Sequence, residues 1–261
     1  MRSDFLNGIW VSSPAPRSRF PEGRPRSRSE RLRLADGTGT PRLLPPSESD
    51  EPAREYWKIA RALRTGTLVA DRVFDEIFPP AARARSNVYW TPVEVAVRAA
   101  NMLANRAGAT ILDIGSGVGK FCIVAAAAVN AHARGIEHRP HLVDIAREAA
   151  AKIGVSPTFG GGTIEDQDAA AIDGFYLYNP FAENLCQGLD RLDSTVELSA
   201  QRFSRDIEAT ELLLSRARVG ARVVTYCGFG GDMPEDFARI GQELCGGGRL
   251  ELWVKQHPTR P

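Results

Sequence analysis

No apolar run in the 261 residues approaches the roughly 18 needed to cross a membrane, and the amino terminus lacks a charged-then-apolar signal pattern. Both absences predict a cytoplasmic protein with no membrane partner. Charge of one sign is also missing: 33 Lys and Arg against 32 Asp and Glu leave +1. No global field draws the whole chain onto nucleic acid or anionic lipid, so any such affinity must be local. Cysteine is scarce and scattered. Cys122, Cys186, Cys227 and Cys245 form no Cys-x-x-Cys pair, and His132, His138, His141 and His257 show no ligand spacing. This predicts reduced thiols and no metal site. No internal repeat is visible, and no feature sets an oligomeric state.

With 43% hydrophobic residues, the chain has enough apolar material for one sizeable core. It is unevenly distributed. Residues 1–52 read as a disordered arm, dominated from residue 11 by Pro, Ser, Arg and Gly, which contribute little burial to offset ordering. In it Arg17, Arg19, Arg24, Arg26, Arg28, Arg31 and Arg33 face only Glu22 and Glu30. The stretch 17–33 is therefore either a nucleic-acid or acidic-partner tether or a solvated tail. Residues 53–85 read as a helical extension, with Tyr56, Ile59, Ala60, Leu63, Val73, Phe74 and Ile77 at helical spacing before Phe78-Pro79-Pro80 stops it. Next, Thr91, Pro92 and Glu94 have the order of a capping box, predicting a helix from Pro92 to about Asn105 with Thr91 as its cap.

From Ala109 onward, strand and helix alternate. Strands are expected at 109–115, 131–137, 156–161, 173–179, 220–228 and 249–256. Helices are expected at 119–129, 140–154, 183–217 and, briefly, 237–244. The fold class is α/β, a doubly wound and mostly parallel sheet with helices on both faces. In such sheets, ligands sit beyond the carboxyl ends of the strands.

The turn after the first strand reads "LDIGSGVGK". Gly115 and Gly117 let the backbone turn sharply and approach a ligand, and Gly119 lets the next helix pack tightly. The turn is not a phosphate loop. It lacks G-K-[ST], and its G-x-G-x-G differs from the dinucleotide G-x-G-x-x-G. Glu137, at the end of the second strand in "GIEHRP", can accept hydrogen bonds from both hydroxyls of a ribose, with His138 beside it.

These motifs resemble those of the class I, Rossmann-like S-adenosylmethionine-dependent methyltransferases over about residues 86–256, and the domain is expected to span 86–261. The resemblance implies S-adenosyl-L-methionine as cofactor. Asp113, Gly115, Ser116, Gly117 and Gly119 would lie at its amino-acid end, Glu137 and His138 at its ribose, and Glu165, with Asp166, at its adenine. Tyr89 and Thr91 would lie near its methionine end. It further implies that Asn179, Pro180 and Phe181, in "YNPFAEN", face the methyl group and the acceptor. The closer likeness is to the non-SET protein-lysine methyltransferases, both the histone-lysine and the ATP-synthase c-subunit enzymes. Ala182 breaks the [D/N]-P-P-[F/Y/W] tetrapeptide of the adenine and glutamine amino methyltransferases. Methylation of a protein lysine nitrogen is the leading expectation. A nucleic-acid base or small molecule as acceptor is the alternative, and a scaffold that binds cofactor without catalysis is a third.

Overall fold

The computed structural model describes residues 51–257 except 85, 130 and 187–190. The arm expected over 1–52, with its basic stretch, lies outside the described residues except at its last two positions. Seven strands form one sheet: β1 (Ala109–Ile114), β2 (Ala131–Ile136), β3 (Thr158–Gly160), β4 (Gly174–Tyr178), β5 (Arg222–Tyr226), β6 (Phe237–Cys245) and β7 (Gly248–Lys255). Their order is β3-β2-β1-β4-β5-β7-β6. The five strands from β3 to β5 pair in parallel, and β7 runs antiparallel between β5 and β6. The order reverses between β1 and β4, which opens a crevice at their carboxyl ends.

The parallel strands are buried because helices cover both faces. Helix α1 (Glu51–Arg64) lies on α6 (Lys120–Ala128) and α7 (Pro140–Ile153). Its Ala60 and Leu63 join Phe74, Ile77, Phe78 and the apolar residues of α5 (Val93–Leu103), α6 and α7 in one buried cluster. A second cluster on the other face joins Leu112, Ile114, Phe175 and Leu177 to Leu213 and Leu214 of α8 (Ala200–Ser215). Between α1 and α5 lie three single-turn helices: α2 (Asp71–Phe74), α3 (Pro80–Arg83) and α4 (Ser86–Tyr89).

The segments differ from the sequence expectation at three places. Helix α5 begins at Val93, and Thr91 does not cap it. The Thr91 hydroxyl pairs instead with the Tyr176 hydroxyl at 3.1 Å, while the Val93 amide donates to Asp71 Oδ1 at 2.8 Å. A distant carboxylate has taken over the capping role. The helix expected over 183–217 is only α8, because the Ser199 hydroxyl accepts the Arg202 amide at 3.1 Å and starts the helix there. The helix expected over 237–244 is strand β6, paired with β7 across the two-residue turn Gly246-Gly247. Both glycines have positive φ, 56° and 84°, as a tight hairpin turn requires.

The extension and α6 are joined by a buried cation. Lys120, 4% exposed, places Nζ 2.7 Å from Asp71 Oδ1 and 2.6 Å from Asp75 Oδ1, below 6 Å from the Phe74 and Trp90 ring centres. Burial holds the Asp75 carboxyl above its ordinary value despite the opposing pull of Lys120. Lys120→Met should therefore leave two acids without their cation and cost about 2–4 kcal/mol. For a domain of this size, that is a fall in melting temperature on the order of 5–10 °C. An unchanged melting temperature would show that the extension is held by apolar burial alone.

Candidate active site

The turn after β1 is tied to the end of β2. The amides of Gly115 and Ser116 both donate to the Ile136 carbonyl, at 3.0 and 2.9 Å, and the Gly117 amide donates to Glu137 Oε2 at 3.0 Å. Gly117 has φ +53° and nothing within 4 Å of where a Cβ would stand, so its outer side is open. Gly115, with φ +73°, would bring a Cβ within 2.9 Å of Pro180 Cβ. Only glycine lets the turn and the end of β4 approach this closely. Gly119 is the residue before α6, packed against Phe159 and Ala146. The Ser116 side chain folds down onto Gly135 of β2, in space a Cβ there would fill.

Two carboxyl groups face this turn from below. Glu137, 6% exposed, also accepts the Arg139 amide through Oε1 at 2.9 Å. Asp113 is 4% exposed, and among the described residues its side-chain donor is the Cys122 thiol, with Sγ 3.6 Å from Oδ2. Burial, opposed by that thiol and reinforced by the Glu137 charge, pushes its carboxyl up to about 8. Tyr176 stands beside Asp113 in register on β4 and stacks on Phe121 at 3.9 Å between ring centres. The same tyrosine holds Thr91 and so brings residues 89–91 towards the turn; Tyr89, half-buried, ends α4.

Beyond β4, Asn179 adopts φ +40°, and its amide donates to the Gly228 carbonyl at 2.9 Å. Phe181 is buried in the second apolar cluster. Next to Asn179, at the end of β5, Cys227 is the other described non-glycine residue with positive φ, at 57°, and it is exposed. Tyr178 and Tyr226 pack together here, 4.9 Å between ring centres. Tyr178, Tyr226 and Cys227 belong to no functional motif in the sequence. Their signal was position alone, at the carboxyl ends of β4 and β5. Glu165 and Asp166 lie exposed in the loop after β3, on the same edge, with Asp166 Oδ2 accepting the Thr163 amide and hydroxyl. His138 Nδ1 is 3.8 Å from Glu137 Oε1. Burial lowers its pKa, against the opposing pull of Glu137. Among the described residues, no group of three or more His, Cys, Asp or Glu could hold a metal ion, and no helix is long and apolar enough to cross a membrane.

Sheet order, glycine turn and acid-ended second strand together define the class I methyltransferase fold. Solved structures share it. TrmN from Thermus thermophilus is 19% identical with a TM-score of 0.50, over 70% of this chain and 53% of that one. A candidate O-methyltransferase from Klebsiella pneumoniae is 14% identical with a TM-score of 0.50, over 78% of this chain and 99% of that one. An RNA methyltransferase from Salinibacter ruber in complex with S-adenosyl-L-homocysteine is 22% identical with a TM-score of 0.47, over 64% and 93%. No curated protein matches the sequence. The profile of the protein-L-isoaspartate(D-aspartate) O-methyltransferase (PCMT) family matches residues 82–182, the part that carries the turn, Glu137 and Asn179. That match spans less than half of the chain; with this fold it makes the chain similar to the S-adenosylmethionine-dependent methyltransferases of class I.

The residues suit that cofactor. An open glycine turn leaves room for a ligand, a buried carboxylate ends β2, and a second buried carboxyl has no cation partner among the described residues. Two variants test the placement. Gly117→Val places a branched side chain at positive φ in the open space, and Glu137→Ala removes charge-assisted hydrogen bonds worth about 1.5–3 kcal/mol, or roughly ten- to a hundredfold in affinity. Calorimetric titration with S-adenosylhomocysteine should show both losses. Wild-type affinity in both folded variants would refute the placement.

Asp113 makes a separate prediction for the ligand-free protein. An unfolded-chain aspartate loses its proton near pH 4, whereas the folded one keeps it to about 8. Between those values the native state binds the extra proton, so stability falls as pH rises through the window. Asp113→Asn is neutral throughout. Its melting temperature should therefore fall less than that of the wild type between about pH 5 and 8, and parallel curves would contradict a protonated Asp113.

Proposed function

We propose that this chain is a methyltransferase that modifies a nitrogen of a protein side chain, lysine first, with Asn179 aligning the acceptor. One observation carries the reading. Asn179 is held in a left-handed conformation by Gly228, while its neighbour Pro180 rests against Gly115 of the glycine turn. The backbone that carries this amide side chain is thus fixed where the glycine turn meets the end of β4. The side-chain oxygen accepts an N–H from an amine and so turns the lone pair towards the methyl carbon.

When bound, the cofactor supplies an electrophilic methyl group on a sulfonium. This chain's residues supply alignment and exclusion of water. Tyr178 and Tyr226 offer an aromatic wall at the same edge, suited to the methylene stem and ammonium of a lysine. Support for a protein acceptor also comes from the matched profile, whose family is named for a protein substrate. That name speaks for an oxygen acceptor, which gives the second reading: a side-chain carboxylate methylated to an ester, with the Asn179 amide N–H as donor. A nucleic-acid acceptor rests only on the basic stretch 17–33.

The test is transfer of radiolabelled methyl groups into protein, RNA and small-molecule fractions of an extract. Label in protein that survives mild base is on nitrogen; label released as methanol is an ester. Asn179→Ala should then lower turnover by roughly 30- to 1,000-fold, about 2–4 kcal/mol, with little change in cofactor affinity. Asn179→Asp should suppress a lysine acceptor by holding its ammonium protonated. Full turnover in Asn179→Ala, or base-released label alone, would overturn the proposal.

A further inference from the structure

A second buried cation lies two residues beyond Glu137, and no step above uses it. Arg139 is 3% exposed. Its guanidinium donates to Glu183 Oε1 at 2.9 Å and to Asp193 Oδ1 at 3.1 Å, while its own amide holds Glu137 Oε1 at 2.9 Å. Glu183 Oε1 also accepts the Leu192 amide at 2.6 Å. Burial would raise the Asp193 carboxyl, but hydrogen bonds from Thr195 and the charge of Arg139 more than offset it and hold it below the usual range. Both acids lie in the segment that follows Asn179, Pro180 and Phe181.

A buried arginine with two carboxylates is costly to desolvate and contributes little net stability, so its value is sought in geometry. Here that geometry is specific. One residue fixes the rotamer of the carboxylate at the ribose position through its backbone, and clamps the segment trailing the acceptor residues through its side chain. We propose that Arg139 is a positioning residue that couples ribose binding at Glu137 to the placement of residues 182–186 and 191–199. The proposal rests on the cofactor placement given above. Ribose binding and the acceptor-side segment then stabilise each other, and by linkage each strengthens the other equally.

The experiment titrates S-adenosylhomocysteine and its 2′,3′-dideoxy analogue into wild type, Arg139→Met and Glu183→Gln. Glu183→Gln leaves the Arg139 amide and the Asp193 pair intact, so it tests the coupling should Arg139→Met fail to fold. Neither side chain reaches the ribose acceptor directly. Both variants should nevertheless bind S-adenosylhomocysteine about tenfold more weakly, the size expected for residues coupled in one network. The dideoxy analogue, which has no hydroxyls for Glu137, should show less than about a twofold further loss in either variant. The homocysteine product should also slow amide hydrogen exchange over residues 191–199 in wild type and not in Arg139→Met. Equal losses for both ligands would mean a merely structural role, and unchanged affinity for both would mean no coupling; either overturns the inference. Failure of wild type to bind S-adenosylhomocysteine would instead overturn the cofactor placement, and the coupling with it.

Discussion

Three successive amides, those of Gly115, Ser116 and Gly117, are all accepted by the last carbonyl of β2 and the carboxylate that follows it. A tight turn at the end of a buried parallel strand must satisfy its donors somewhere. Here the neighbouring strand does so. The consequence propagates in both directions. The turn's direction sets where α6 starts, and with it where Lys120 meets the extension. The turn's height sets how closely Pro180 can approach, and with it where Asn179 stands. The β1 to β2 register, with Asp113 opposite Gly135 and Ile114 opposite Ile136, is therefore the constraint on which the site rests.

Besides Glu137, the side chains of Lys120, Arg139 and Asp113 are buried around this turn, and they are not treated alike. Lys120 has Asp71 and Asp75, and Arg139 has Glu183 and Asp193. Each of these cations lies between two acids from other segments, which is how a chain holds distant pieces in register without a large apolar contact. Asp113 has, among the described residues, only a thiol. A carboxyl left so poorly matched in a low dielectric either keeps its proton or awaits a cation. The imbalance marks the place where the protein alone does not complete its electrostatics. It coincides with the end of the cofactor expected to carry an ammonium.

The parts legible in the sequence are those whose partners are near in the chain. β1, the glycine turn, α6, β2 and α7 declare themselves through period and through glycine, and the structure keeps their bounds within a few residues. The capping of α5 was misassigned because the true partner of the Val93 amide, Asp71, stands 22 positions away, while the local Thr91 looked sufficient. Arg139 went unnoticed for the same reason, its acids being 44 and 54 positions distant. β6 was read as a helix because Phe237, Ile240 and Leu244 fall at helical spacing. As an edge strand with a register shift between Arg239 and Gly241, it does not keep the alternation that would have identified it. The glycines from Gly246 to Gly248 were the signal available, since two glycines between apolar segments are what a tight hairpin turn needs.

The acceptor edge resists reading from sequence for a deeper reason. Cofactor recognition uses fixed atoms, so a turn and two carboxyls at set spacing suffice to announce it. Acceptor recognition uses whatever the ends of β4 and β5 present, and here those ends are shaped by backbone strain rather than by a motif. Asn179 and Cys227 both occupy the left-handed region without being glycine, side by side on adjacent strands, with Gly228 accepting the Asn179 amide between them. Such conformations cost about 1–3 kcal/mol each and persist where the surroundings over-determine them. What over-determines them is visible. Pro180 is wedged on the glycine turn, the Cys227 amide donates to Arg249 of β7, and the Tyr226 hydroxyl donates to Gly246 in the hairpin turn. The hairpin that the sequence concealed is thus one of the supports of the proposed acceptor edge, and the chemistry proposed there depends on the least legible element of the fold.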